Sequence, residues 1–303
     1  MTDIEYKRML KNKLITYRDC LNLPKDVTFG IEIEYENIVL DTLSYILSEK
    51  QKENINFNNW RNKSEFDIME ERNNEIINGE INSIILRDTK MTWESLEDIL
   101  ELLKRNDAVI TEKCGGHVNI GTHILKNNKK YFRNFLLLWL LYEKEIYNFS
   151  SGDYIKVRHD KHELFKKISE VIKLEDITNI RKFNYILNLS EALFDKSHDI
   201  YICNDISKKV YPDNRIEFRI PNGTLEKEIW QNYINFFTKF LIASTKELDV
   251  EKTIYKIEKN DHSAAELADY IFNEDVDKEN FLIQTLKTNK VYKKELPPHI
   301  IYY

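Results

Sequence analysis

Glycine and proline are scarce in this chain, with seven and five among 303 residues. So few breaks leave no room for a flexible linker, and no low-complexity tract or internal repeat is found. A single domain over 1–303 is expected, with its motifs between about 29 and 240 and a helical extension from about 262 to 303. Cysteine is scarcer still. Cys20, Cys114 and Cys203 stand far apart without a C-x-x-C. That spacing excludes a disulfide framework and a cysteine-based zinc site, and it suits a reducing compartment. Neither sign of charge dominates: 45 basic against 51 acidic residues leave a net charge of −6. A general grip on nucleic acid would want a basic excess. The strongest apolar run, FLLLWLL at 135–141, is too short to cross a bilayer. MTDIEYKRML at the N-terminus lacks the apolar centre of a secretory signal. A cytoplasmic protein is expected, with neither membrane nor nucleic acid as partner.

What is present is ample material for a core, with 42% hydrophobic and 12% aromatic residues. FGIEIEY (29–35) alternates as a strand. HVNIG (117–121) is a short alternating strand, and RIEFRI (215–220) alternates strictly before the turn signal Pro221-Asn222-Gly223. WESLEDILELLKR (93–105) has helical spacing, with Thr92 as the expected N-cap. Long apolar helices are expected over 129–148 and 226–247, and one or two more from about 262. Strands mixed with helices, without regular βαβ spacing, indicate an α+β fold with an antiparallel sheet.

Three stretches carry chemistry. In FGIEIEYEN, Glu32, Glu34 and Glu36 share one strand face at roughly 7 Å spacing, opposite Phe29, Ile31, Ile33 and Tyr35. A buried strand with such a face needs something to neutralise it, and a hard cation such as Mg²⁺ prefers carboxylate oxygen. A solvated outer face is the plainer alternative. In Gly115-Gly116-His117-Val118-Asn119-Ile120-Gly121, His117 and Asn119 share a face, and the two glycines allow close approach. In Arg215-Ile216-Glu217-Phe218-Arg219-Ile220, a carboxylate lies between two guanidinium forks suited to phosphate or carboxylate oxygens. A salt-bridged outer face is the alternative there. Glu80, in Gly79-Glu80-Ile81-Asn82-Ser83, adds a further carboxylate at an expected strand start. Neither G-x-x-x-x-G-K-[ST] nor G-x-G-x-x-G is present, and no nucleophile–His arrangement stands out.

The order of FGIEIE, GEINSIIL, GGHVNIG, an aromatic-rich LN stretch and RIEFRIPNGTL resembles the amidoligase family of carboxylate–amine ligases, alongside glutamate–cysteine ligases. The resemblance implies a curved, mainly antiparallel sheet of the glutamine-synthetase catalytic type, with helices packed on its outer face. It implies ATP and two or more Mg²⁺ ions as cofactors, with Mn²⁺ an alternative. Glu32, Glu34, Glu80, His117 and Glu217 would be metal ligands. His117, Asn119 and Arg215 would contact the nucleotide, and Glu32, Glu34, Glu217 and Arg219 would carry catalysis. Arg219 and Asn188, the latter from Tyr185-Ile186-Leu187-Asn188-Leu189, would contact substrate.

The implied reaction is attack of a substrate carboxylate on the γ-phosphate of ATP, then attack of an amine on the acyl phosphate. Either partner could be a peptide, protein, amino acid or natural-product intermediate. Two departures stand out. Asn119 replaces a second histidine, and Asn62-Lys63-Ser64 replaces the family's D-G-S segment. They leave open a catalytically weakened ATP-binding or regulatory protein of the same fold. A two-carboxylate hydrolase pairing Glu32 or Glu34 with Glu217 is a third reading.

Overall fold

The computed structural model describes residues 2–10, 13–66, 68–111, 113–151, 166–188, 197–203 and 214–291. Its centre is set by the alternating strand β1 (Phe29–Val39), which buries Phe29, Ile31, Ile33 and Tyr35. Around it stand β2 (Trp60–Lys63), β3 (Glu70–Arg72), β4 (Glu75–Ser83), β5 (Gly116–Gly121), β6 (Ile200–Cys203) and β7 (Arg215–Phe218). The spatial order is β2-β4-β1-β5-β7-β6, with β3 also on β4. Every pair is antiparallel. The α+β class with an antiparallel sheet is what the alternation predicts.

The described helices are α1 (Asp3–Met9), α2 (Leu40–Glu53), α3 (Lys90–Arg105), α4 (Lys129–Ser150), α5 (Ile168–Val171), α6 (Leu174–Thr178) and α7 (Ile180–Asn188). They continue with α8 (Lys227–Ser244), α9 (Val250–Lys259), α10 (Ala264–Ile271) and α11 (Asp275–Val291). None of them is long and apolar enough to cross a membrane. They cover the apolar side of the sheet. Phe218 of β7 stacks on Phe237 of α8 with centroids 4.2 Å apart and on Trp139 of α4 at 5.9 Å. Phe29 stacks on Trp93 of α3 at 5.6 Å. Each such aromatic removes enough area from water to contribute about 1.5–3 kcal/mol. The packing therefore fixes which face turns inward.

Several boundaries differ from the sequence reading. Helix α3 starts at Lys90, because the Thr89 hydroxyl accepts from the Thr92 amide. The Thr92 hydroxyl donates to the Arg87 carbonyl at 2.7 Å, so it caps nothing. Strand β1 continues to Val39 past a register shift, where Asn37 takes a left-handed conformation that asparagine tolerates. Strand β7 ends at Phe218, although the Arg219 amide still donates to the Asp199 carbonyl. Glu80 lies deep in β4 rather than at a strand start. The C-terminal segment forms two helices, α10 and α11.

One junction ties the sheet to α8. The Gly116 amide donates to the Pro221 carbonyl and the Gly223 amide to the Cys114 carbonyl, both at 3.0 Å. A Cβ on Gly116 would come 2.8 Å from both the Asn222 carbonyl oxygen and the Trp230 ring. Gly116→Ala is therefore expected to lower unfolding free energy by about 1–3 kcal/mol through overpacking. Urea denaturation with an unchanged m-value would measure this, and a change within error would contradict the tight junction.

Candidate functional site

Register alone gathers the acidic side chains. On the face away from the helices, Glu34 of β1 stands opposite Glu80 of β4. Glu32 stands opposite Asn82 on one side and His117 of β5 on the other. Asn119 of β5 stands opposite Glu217 of β7. Directly opposite residues of an antiparallel pair share a face, with Cβ atoms about 4.5–5.5 Å apart.

His117 is the hub. Its Nδ1 lies 3.2 Å from Glu32 Oε2, 3.6 Å from Glu217 Oε1 and 3.8 Å from Glu80 Oε2, while Nε2 lies 3.4 Å from Glu34 Oε1. His117, Glu34, Glu80 and Glu217 are buried, and Glu32 is more open. A second ring of contacts holds them. The Gly115 amide donates to Glu34 Oε2 at 2.5 Å. Asn119 Nδ2 donates to Glu32 Oε1 at 2.9 Å, and Arg215 Nε donates to Asn119 Oδ1 at 2.8 Å. Arg219 Nη1 donates to Glu217 Oε1. Lys63 Nζ lies 2.8 Å from Glu80 Oε1.

Four carboxylates thus meet two side-chain cations, Lys63 and Arg219, and one imidazole. Buried His117 Nε2 and Asn82 Oδ1 make no hydrogen bond, and Glu80 Oε1 meets Lys63 as an ion pair without hydrogen-bond geometry. Two groups, Glu32–His117–Glu217 and Glu34–Glu80–His117, each bring their ligand atoms within 4.8 Å of one another. Oxygen-rich donors, excess negative charge and an imidazole nitrogen without a hydrogen bond fit a hard divalent cation.

Protonation shows the crowding. Burial raises the Glu32 carboxyl, but hydrogen bonds from His117 and Asn119 and the His117 charge outweigh it, so Glu32 is held well below its ordinary value. Burial and the Glu32 charge push Glu80 up to about 7, against His117 and Lys63. Burial and Arg219 lower His117, yet Glu32, Glu34 and Glu217 leave it raised overall. The cluster thus lowers the proton affinity of Glu32 and raises that of Glu80.

The sign of the pH dependence follows. Raised groups bind more protons folded than unfolded between their two values. Glu80 therefore contributes stability that is full below its ordinary value of 4.5 and lost as pH rises through about 7. His117 acts in the same direction from its ordinary value of 6.5 upward. The protein without added metal is expected to melt at progressively lower temperature from about pH 5 to 8. Glu80→Gln should flatten that slope. A melting temperature that rises across this range would contradict the assignment.

The structure brings together all five expected ligands, Glu32, Glu34, Glu80, His117 and Glu217, with Asn119, Arg215 and Arg219 around them. Asn188 ends α7, but its side chain lies outside the described residues. Glu36 is half-buried and pairs through its backbone with Val109, so it stands apart from the cluster. Asn62 points toward the helices, donating to the Leu40 carbonyl and Ser44 and accepting from Tyr35. An acidic group lost at position 62 therefore subtracts nothing from this cluster. Sequence reasoning missed Lys63, Asn82 and the Gly115 amide. Each lies in or beside a quoted stretch: Lys63 in Asn62-Lys63-Ser64, Asn82 two residues after Glu80, and Gly115 in the double glycine that allows close approach. Beside the cluster a cleft of about 360 Å³ is lined by Glu32, Asn82, Asn119 and Arg215, with Ile84 and Ile85 as apolar lining.

No curated protein matches the chain. A family model described as "Putative amidoligase enzyme" matches residues 25–241, a span that contains every described strand and most of α8. With well over half of its length matched, including the whole carboxylate cluster, the chain belongs to the amidoligase family.

Proposed function

We propose that the protein is an ATP- and divalent-cation-dependent ligase that activates a carboxylate as an acyl phosphate and joins it to an amine. One observation carries this reading: four carboxylates surround a buried histidine at the edge of a cleft that also presents a guanidinium. A divalent cation bound there would neutralise phosphate oxygens and polarise the γ-phosphate.

The chain's own residues would do the rest. Arg215 lines the cleft and has its orientation fixed through Asn119, so its fork suits phosphate oxygens. Asn119 orients Glu32 and Arg215 at once, a positioning role that does not need the histidine of the family pattern. Arg219 holds Glu217 from the same strand end and is itself almost buried, as charge stabilisation in a dry site requires. The substrate carboxylate would attack the γ-phosphorus, releasing ADP. The amine would then attack the acyl carbon, expelling phosphate.

The test is ADP release with Mg²⁺ across panels of carboxylates and amines. Release should need both, and Glu32→Gln or Glu217→Gln should lower it by about 10²-fold or more with the fold retained. ATP binding without turnover under any acceptor pair would favour a regulatory protein of the same fold. Metal-replete protein that binds no ATP would overturn the proposal.

A further inference from the structure

The two acidic groups of the cluster draw on the same imidazole. Glu32–His117–Glu217 lies toward β7, and Glu34–Glu80–His117 lies toward β4. A neutral imidazole has one lone pair for a metal, its other nitrogen carrying hydrogen. The groups therefore cannot both use His117 at once. On the β4 side one oxygen of each carboxylate already has a partner. Glu34 Oε2 accepts from the Gly115 amide, and Glu80 Oε1 faces the Lys63 ammonium at 2.8 Å. Lys63 stands opposite Glu80 in the β2–β4 register, so the pairing is built by the sheet. Its side chain is 52% exposed while that of Glu80 is 1% exposed. A solvated stem thus brings one positive charge from the edge strand β2 to the outer oxygen of a buried carboxylate.

We infer that Lys63 serves as the cluster's second cation. One divalent ion is held by Glu32, His117 and Glu217, and the Lys63 ammonium, paired with Glu80, supplies the positive charge that a second ion would otherwise bring to the β4 side. The inference rests on the reading of the cluster as a cation site. Two features make the arrangement coherent. An ammonium supplies three donors and one charge without needing an imidazole ligand. It also stays on the chain, so the β4 side is neutralised whatever the metal concentration. A divalent ion entering beside it would meet a like charge at close range.

The experiment counts Mn²⁺ bound to the purified full chain near neutral pH, with no nucleotide, by the electron paramagnetic resonance signal of free Mn²⁺ and by calorimetry. Wild type should bind about one tight equivalent. Lys63→Met, which keeps the stem and removes the charge, should gain a second equivalent, while Lys63→Arg should stay with one. Glu217→Gln should remove the tight equivalent in either background. Two equal equivalents in wild type would overturn the inference, as would a folded Lys63→Met protein that still binds one. A wild type that binds no Mn²⁺ would remove the cation reading itself, and the inference with it. That outcome is separable from a Lys63 substitution without effect.

Discussion

Four carboxylates packed around one buried histidine are the constraint to which the rest of the molecule answers. Side chains on a strand alternate between faces, so a slip of one residue in β4, β1 or β7 would drive an acid, and in β5 His117, into the aromatic layer. Register is therefore specified twice, by the fit of Phe29, Ile31 and Phe218 against the helices and by the cluster on the other side. The repulsion within the cluster is met by four local devices. These are the raised proton affinity of Glu80, the Lys63 ammonium, the Arg219 guanidinium and the Gly115 amide. A bound cation would complete what these leave uncompensated.

Rigid elements place every part of the site. Glu32, Glu34, Glu80, His117 and Glu217 all project from strands, and the turn that carries Gly115 is strapped to Pro221 and Gly223. Strand-borne groups backed by a dense aromatic layer hold their geometry better than loop-borne ones, which electrostatic catalysis needs. The more open parts lie where an exchanging partner would enter: the cleft toward Ile84 and Ile85, and the exposed stem of Lys63.

Legibility in the sequence followed local pattern. Strands β1, β5 and β7 announce themselves because apolar and polar residues alternate within a few positions, and glycine or proline closes β5 and β7. Helices α3, α4 and α8 do so because their apolar stripes are long. Strands β2 and β3, WRNK and EER, are too short and polar to carry a period, and they exist because β4 offers an edge to pair with. Lys63 belongs to that class. Position 63 falls in the stretch that departs from the family's D-G-S segment, but the charge it brings to the cluster comes from its partner seventeen residues later across the sheet. Thr92 misled for a local reason, since Thr89 has the same cap chemistry three residues earlier.

This face of the sheet is proposed to hold a cation beside a phosphate-bearing substrate. The most direct measurement is a crystal structure with Mn²⁺ and a non-hydrolysable ATP analogue, read from anomalous density at the manganese edge. A peak is expected about 2.0–2.3 Å from carboxylate oxygens of Glu32 and Glu217 and from His117, with analogue phosphates beside it toward Arg215. Bound analogue without manganese at the cluster, or manganese bound elsewhere while Glu80 and Lys63 keep the cluster closed, would contradict it.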